Sequence, residues 1–234
     1  HCQCRRQRQM CIRDRLLGGY GLAVVLRVSV SLSLAVMASV PLALVSGLAL
    51  TLLNGPFLED LVATFNQALG QLEQDLQQEG SGELAFNSLA VPQVAALLAT
   101  GNAVIALLSL MLGRYWQAAL YNPGGFGDEF RALKLPAGAV MAMAFVAAAL
   151  WWMGPDWRVW STAAVLPLTI VGFALVHAYA AHANKGVAWL TLMYVLWIVL
   201  DIVKWVWVGC VVIDAFTDFR ARWASPTGKG SGGA

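Results

Sequence analysis

The chain has 234 residues, of which 59% are hydrophobic and only 12% are charged. Soluble domains carry roughly 25% charged residues, so this composition excludes an ordinary soluble protein and indicates a membrane protein. A formal net charge of +2 gives no support for a nucleic-acid partner.

The N-terminal stretch HCQCRRQRQMCIRDR, residues 1–15, does not read like the rest of the chain. Its MCIRDR string resembles the translated end of a sequencing adapter, and we interpret the stretch as a non-native leader that precedes a truncated N-terminus. A natural basic flank is one alternative. A zinc site is another, because cysteine and histidine are the usual ligands, although the spacing is wrong for a zinc finger; its ligands would be His1, Cys2, Cys4 and Cys11.

Several apolar runs reach the ~20 residues that a helix needs to cross a bilayer. They predict an all-α fold, a polytopic transmembrane helical bundle over residues 16–223. Pro41 and Pro167 lie within apolar runs and predict bends. Residues 224–234 contain too little apolar surface to order, which predicts a disordered tail. The predicted spans are residues 28–53, 91–112, 137–154, 159–183 and 188–216.

Residues 57–80 predict one amphipathic helix outside the hydrocarbon, because Leu58, Phe65 and Leu72 recur at helical spacing among acidic and amide residues. Such a helix can either lie on the lipid surface or cap one end of the bundle. The absence of Lys and Arg from this stretch favours capping, since attraction to anionic lipid needs basic residues.

Loop charge predicts the orientation of the bundle. Residues 54–91 carry acidic residues and no Lys or Arg, which predicts a periplasmic location. Residues 113–136 carry Arg114, Arg131 and Lys134, which predicts a cytoplasmic location. A break of the last span near residues 201–204 would return the C-terminus to the cytoplasmic side, and we favour that break over one continuous helix.

Four polar residues within apolar runs are candidates for a functional site, because such residues are costly in a membrane. Asp201 and Lys204 share a helix face and can pair; the pair is either structural or a contact to an ion or solute. Asn102 needs a partner across a helix interface or in a ligand. His177 is the fourth candidate, but its place near a span end suits an interface residue as well.

The stretch RYWQAALYNPGGFGDEFRALKLP, residues 114–136, joins two spans. Its glycines lack the Lys and Ser or Thr of a phosphate-binding loop, so they predict a turn followed by a short amphipathic helix. No catalytic motif, metal site or cofactor site is predicted in the chain outside the leader. The candidate partner-binding residues in this loop are Asn122, Pro123, Gly124, Gly125, Phe126, Phe130 and Arg131.

This loop and the stretch VVIDAFTDFRAR, residues 211–222, together resemble the YybS-like family of bacterial membrane proteins, known as domain of unknown function 2232. The resemblance covers roughly residues 16–223. It implies a multi-pass protein of the bacterial inner membrane that is distantly similar to the S-components of energy-coupling-factor transporters. It implies no ligand residues, because the family has no established site.

Two functions follow as hypotheses. The first is a transport-related subunit that binds a small solute between helices and works with an ATPase module. The alternative is a membrane scaffold that binds a cytoplasmic protein through the 114–136 loop. A polar cavity reaching Asn102, Asp201 or His177 would favour the first, and an exposed patch of Phe126 and Phe130 would favour the second.

Overall fold

The computed structural model describes residues 19–53, 55–78 and 88–224, and within these ranges every regular element is an α-helix. The predicted all-α bundle is therefore confirmed. The predicted leader 1–15 lies outside the described residues, as does all of the predicted tail except Ala224.

The helices have the following bounds in chain order. They are α1 (Gly19–Ser29), α2 (Leu32–Met37), α3 (Ser39–Leu53), α4 (Gly55–Gln78), α5 (Val91–Tyr121), α6 (Gly125–Arg131), α7 (Ala137–Trp152), α8 (Pro155–His182), α9 (Val187–Val199), α10 (Asp201–Thr217) and α11 (Phe219–Ala224). Helix α4 corresponds to the predicted amphipathic helix.

Three helical segments are long and apolar enough to cross a membrane: Leu32–Leu53, Val91–Tyr121 and Pro155–His182. Helices α9 and α10 pass the same test only as a pair, with a bend of 113° between them. The chain is thus a multi-pass membrane protein. Helix α7 has 16 residues, about 24 Å of helix, which falls short of the ~30 Å hydrocarbon core.

Helix α5 is longer than the predicted span 91–112, because it continues through RYWQAALY to Tyr121. These residues include good helix formers and no breaker before Asn122 and Pro123. The interhelical loop is correspondingly shorter than the 113–136 stretch that the sequence predicted.

Pro41 lies near the middle of the Leu32–Leu53 span, in the first turn of α3. A proline ring clashes with the carbonyl four residues earlier, which here belongs to Met37, the last residue of α2. A turn at Ala38 separates α2 from α3, and the Ser39 hydroxyl donates to the Val36 carbonyl at 2.7 Å. Pro167, by contrast, is buried inside a continuous α8.

Small residues allow the spans to pack closely around α8, as expected where lipid supplies no hydrophobic driving force. Ala43 of α3, Ala103 of α5 and Ala163 of α8 form one buried cluster. Gly47 of α3 lies against the Trp160 ring of α8, so closely that a β-carbon there would overlap the ring.

Helices α9 and α10 form a hairpin whose two ends lie at the same end of the bundle. Trp223 of α11 stacks on His182, the last residue of α8, with ring centroids 5.5 Å apart. Lys134, which follows α6, pairs with Asp218 at 2.7 Å. The chain therefore enters α9 and leaves α10 beside the loop that precedes α7.

Helix α4 lies at the opposite end. Its buried residue Leu58 packs with Val94 of α5 and Trp160 of α8, and the Asn66 side-chain amide donates to the Leu89 carbonyl at 3.0 Å and accepts from the Leu89 N–H at 2.8 Å. These contacts agree with the capping role that the sequence favoured. The bundle thus has an acidic end at α4 and a basic end near Arg114 and Lys134.

Candidate functional site

The break between α9 and α10 lies at Leu200, next to the 201–204 stretch at which the sequence favoured it. Leu200 has extended backbone (φ −111°, ψ 109°). Asp201 begins α10, where the helix dipole favours a carboxylate. The Lys204 ammonium lies 2.6 Å from an Asp201 carboxylate oxygen and 5.6 Å from the centre of the Trp197 ring on α9. The elbow therefore presents an ion pair and an indole together.

A partly open cavity of about 530 Å³ adjoins this elbow, and we call it the elbow cleft. Its volume lies within the ~300 to 1,000 Å³ of small-molecule sites. The cleft combines hydroxyl groups, indole rings, apolar side chains and the ion pair. Its lining residues are Thr100, Trp151, Ser161, Thr162, Val165, Leu166, Thr169, Trp197, Asp201, Lys204, Trp205 and Val208.

The walls of the elbow cleft are held by contacts between helices. The hydroxyls of Thr100 on α5 and Thr162 on α8 are 3.4 Å apart. Trp151 at the end of α7 meets Trp205 of α10 edge to face, with centroids 5.3 Å apart. Trp151 and Thr162 flank the α7–α8 turn, so the cleft lies in the half of the bundle nearer α4.

The ion pair of the elbow cleft is accessible to a ligand. The Asp201 side chain is 88% exposed and that of Lys204 is 42% exposed, so neither charge is committed to a buried network. Exposed pairs contribute little to stability, about 0 to 1 kcal/mol. A solute with its own charged or polar groups can therefore compete for both partners at low cost.

Asn102 does not line the elbow cleft, although Thr100 does. Side chains two positions apart on a helix point about 200° away from each other. Asn102 therefore points to the other side of α5 from Thr100. It is half-buried and makes no side-chain hydrogen bond among the described residues. Asn102 therefore stays a predicted candidate that lies outside the lining of the elbow cleft.

His177 is also outside the elbow cleft, and it connects α8 to α6 and α9. Its Nδ1 lies 2.8 Å from the Phe173 carbonyl, and its Nε2 lies 3.3 Å from the Tyr194 hydroxyl. The Phe130 ring meets the imidazole edge to face at 5.4 Å. These contacts place His177 between three helices of the bundle.

The 114–136 loop is folded onto the bundle. Phe126 packs between the rings of Tyr115 and Phe130, at 6.1 and 6.0 Å, and both phenylalanines are half-buried. Arg131 pairs with Asp128 at 2.5 Å. The remaining candidates form the turn: Gly124 has a positive φ of 89°, the Asn122 side chain packs over Gly125, and Asn122, Pro123 and Gly124 are exposed.

A cluster of charged residues lies at the basic end of the bundle, and the sequence pattern did not predict it. We call this cluster the charged junction and define it by Lys134, Asp214, Asp218, Arg220 and the Leu133 carbonyl. Asp214 is only 1% exposed; its carboxylate accepts from the Phe219 N–H at 2.9 Å and lies 3.9 Å from the Arg220 guanidinium. An acidic residue within the apolar run GCVVIDAF was the available signal.

Arg220 connects the segment before α7 to the C-terminal end of α10. Its Nη1 donates to the Leu133 carbonyl, while its Nε and Nη2 are buried without a hydrogen-bond partner. Burial lowers the pKa of Arg220, and the carboxylates of Asp214 and Asp218 oppose that change. A hydrogen bond from Lys134 lowers the pKa of Asp218. The junction thus ties the C-terminal end of α10 to the segment before α7.

No protein-family model, curated protein or solved structure matches the chain. The resemblance to YybS-like proteins rests on the two quoted stretches and stays a prediction. The structure brings those two stretches together, because Leu133 and Lys134 belong to the first and Asp218 and Arg220 to the second. No group of three or more His, Cys, Asp or Glu suited to a metal occurs among residues 19–53, 55–78 and 88–224.

Proposed function

We propose that the protein is a small-solute-binding subunit of a transport system in the bacterial inner membrane, similar in role to an S-component. The observation that carries the proposal is the elbow cleft, which places an accessible Asp201–Lys204 pair beside indoles and hydroxyls inside a bundle of membrane-spanning helices. Loop charge supports placing the α4 end in the periplasm, where the cleft would take a solute from outside the cell.

The composition of the elbow cleft favours a polar solute with an apolar or aromatic portion. Trp197 and Trp205 offer flat apolar surface, while Asp201, Lys204 and the threonine hydroxyls offer donors and acceptors. No nucleophile–base pair or metal group accompanies these residues among the lining side chains, so binding is the chemistry that the cleft supports best.

A scaffold function through the 114–136 loop has less support. Its phenylalanines pack on Tyr115 and His177 and do not form an exposed patch. The energy source of transport would have to lie in another chain, and an ATPase module is the partner that the S-component resemblance implies.

The test begins with the protein extracted from its native membrane in polymer-bounded lipid discs, without detergent. Mass spectrometry would then identify small molecules and protein subunits that copurify. Thr162→Val and Lys204→Gln should reduce recovery of the bound solute about tenfold, since each removes a polar group from the elbow cleft.

Thr191→Val is the matched control for Thr162→Val. Both hydroxyls donate to a carbonyl of their own helix, Thr191 to Val187 at 3.1 Å and Thr162 to Val159 at 2.5 Å, but Thr191 does not line the cleft. Equal recovery of solute in the Thr162→Val and Thr191→Val variants would contradict the proposal. Repeated purification without any solute or ATPase module would contradict it as well.

A further inference from the structure

A second cavity, distinct from the elbow cleft, lies between α1 and α5 with a volume of about 590 Å³. We call it the α1–α5 groove. Its α1 wall includes Ala23, Leu26 and Arg27, and its α5 wall includes Leu110, Gly113 and Arg114. The α5 lining residues recur at the spacing i, i+3, i+4, i+7, i+8 and i+11, so they form one face of that helix; they are Ala106, Ser109, Leu110, Gly113, Arg114 and Gln117.

The α1–α5 groove has an excess of positive charge. Arg27 is exposed and has no ion-pair or hydrogen-bond partner among the described residues. Arg114 pairs with Glu129 at 2.6 Å and donates to the Gln117 amide oxygen at 3.1 Å, but its Nε is buried without a partner. The groove lining therefore contains two guanidinium groups, and that of Arg27 is exposed and has no carboxylate partner among the described residues.

The rest of the α1–α5 groove is apolar, with Ala23, Leu26 and Leu110 on its walls. Gly113 leaves space in the groove, because a β-carbon at that position would meet nothing within 4 Å. Two cations beside an open apolar channel fit an amphiphile with an anionic head and a hydrocarbon chain. A fully water-soluble anion would make no use of the apolar walls.

The groove lies towards the basic end of the bundle. Leu32, which follows the α1–α2 corner, packs in one core cluster with Leu107 and Leu133, and Arg114 is bound to Glu129 of α6. Basic residues concentrate on the side of a membrane protein that faces the anionic cytoplasmic leaflet. Basic pockets between helices on that side are a known form of anionic lipid site.

We propose that the α1–α5 groove binds an anionic phospholipid. The phosphodiester would accept hydrogen bonds from Arg27 and Arg114, since a guanidinium presents its donors in a fork that matches phosphate. One acyl chain would lie along Ala23, Leu26 and Leu110. The site is independent of the elbow cleft, because the two cavities share no lining residue.

The test uses the full chain, delipidated in a neutral detergent, and native mass spectrometry with added lipid. The wild type should bind phosphatidylglycerol more tightly than phosphatidylcholine of the same chain length. Arg27→Gln should weaken phosphatidylglycerol binding about fivefold, the contribution of one interfacial cation. Since Arg27 makes no ion pair or side-chain hydrogen bond with the described residues, this variant should fold normally. Gly113→Leu should weaken binding of both lipids by filling the channel.

Arg222→Gln is the matched control, because Arg222 is also exposed without an ion-pair partner among the described residues but lies outside the groove. It should bind phosphatidylglycerol as the wild type does. Equal affinity of the wild type for the two lipids, or unchanged binding by Arg27→Gln, would overturn the proposal. Displacement of the lipid by an equal concentration of glycerol phosphate would assign the site to a soluble phosphate and would also overturn it.

Discussion

Lys134 and Asp218 form an ion pair in which the ammonium nitrogen lies 2.7 Å from a carboxylate oxygen. Lys134 precedes α7, whereas Asp218 separates α10 from α11. Together with the hydrogen bond from Arg220 to the Leu133 carbonyl, the pair holds the last helices against the loop between α6 and α7. The α9–α10 hairpin, and the elbow cleft with it, is thereby fixed at its base.

The Lys134–Asp218 pair should lose its effect at acidic pH. Lys134 holds the pKa of Asp218 below its ordinary value of 3.8, so the stabilisation is present above that value and is lost as pH falls through the lowered pKa. We expect Asp218→Asn to lower the melting temperature slightly at pH 7, because the pair is partly exposed. Thermal unfolding in detergent should show this difference vanish as the pH falls below 3.8 and through the lowered pKa of Asp218.

Asp75→Asn is the control for the acid series, since Asp75 is exposed on α4 and has no ion-pair partner among the described residues. Its melting temperature relative to the wild type should not follow the same pH course. A difference between Asp218→Asn and the wild type that is constant from about pH 7 to pH 2 would contradict the assigned role of Lys134.

Removing the buried carboxylate of Asp214 should be strongly destabilising. Asp214→Ala leaves the Arg220 guanidinium without its buried counter-charge and the Phe219 N–H without its acceptor, which should cost about 3 kcal/mol. Asp214→Asn retains an acceptor and should cost less. Chemical unfolding should also show that the double variant Asp214→Ala, Arg220→Ala loses less free energy of unfolding than the two single variants lose in sum. If the two losses simply add, the side chains are not coupled.

Gly47 should tolerate no side chain. A β-carbon at this position would overlap the Trp160 ring and lie 3.2 Å from the Ala99 methyl, so Gly47→Ala should destabilise the bundle by about 1 to 3 kcal/mol. Gly101→Ala is the matched control, because a β-carbon there meets nothing within 4 Å and alanine favours helix. Comparable thermal stability of the two variants would refute close packing of α3 on α8.

The hairpin predicts a labelling pattern across the membrane. In a variant whose four cysteines are replaced by serine, single cysteines at Asn184 and Thr217 should react from the same side. A cysteine at Gln74 on α4 should react from the opposite side. An impermeant maleimide applied to intact cells and to inverted vesicles measures this. Labelling of Asn184 and Thr217 from opposite sides would mean that α9 and α10 form one crossing.

Much of the architecture follows from local pattern. Long apolar runs predict the spanning segments, and the spacing of Leu58, Phe65 and Leu72 predicts α4, because both signals depend on residues within one helix. The element bounds were less predictable at Tyr121, where α5 runs on past the apolar stretch. Polar residues there are good helix formers, and hydropathy alone does not register them.

The residues that form sites depended on packing between helices. Asp201 and Lys204 could be paired from their spacing, and the structure shows that pair at 2.6 Å. Its neighbours Trp151 and Thr162 come from α7 and α8, so no short stretch of sequence contains all four residues. Asn102 shows the same limit, because its direction relative to α8 follows from the rotation of α5 in the bundle.

The sequence by itself determined that this is a helical membrane protein with an acidic and a basic end, because hydropathy and charge are sums over neighbouring residues. Only the tertiary structure decided that the last apolar run turns back at Leu200 and that Asp214 is buried beside Arg220. The physical reason is that residues from several helices form the elbow cleft, the α1–α5 groove and the charged junction, so the geometry of each depends on the distances between those helices. Those distances are set by which small residues meet, as Gly47 meets Trp160.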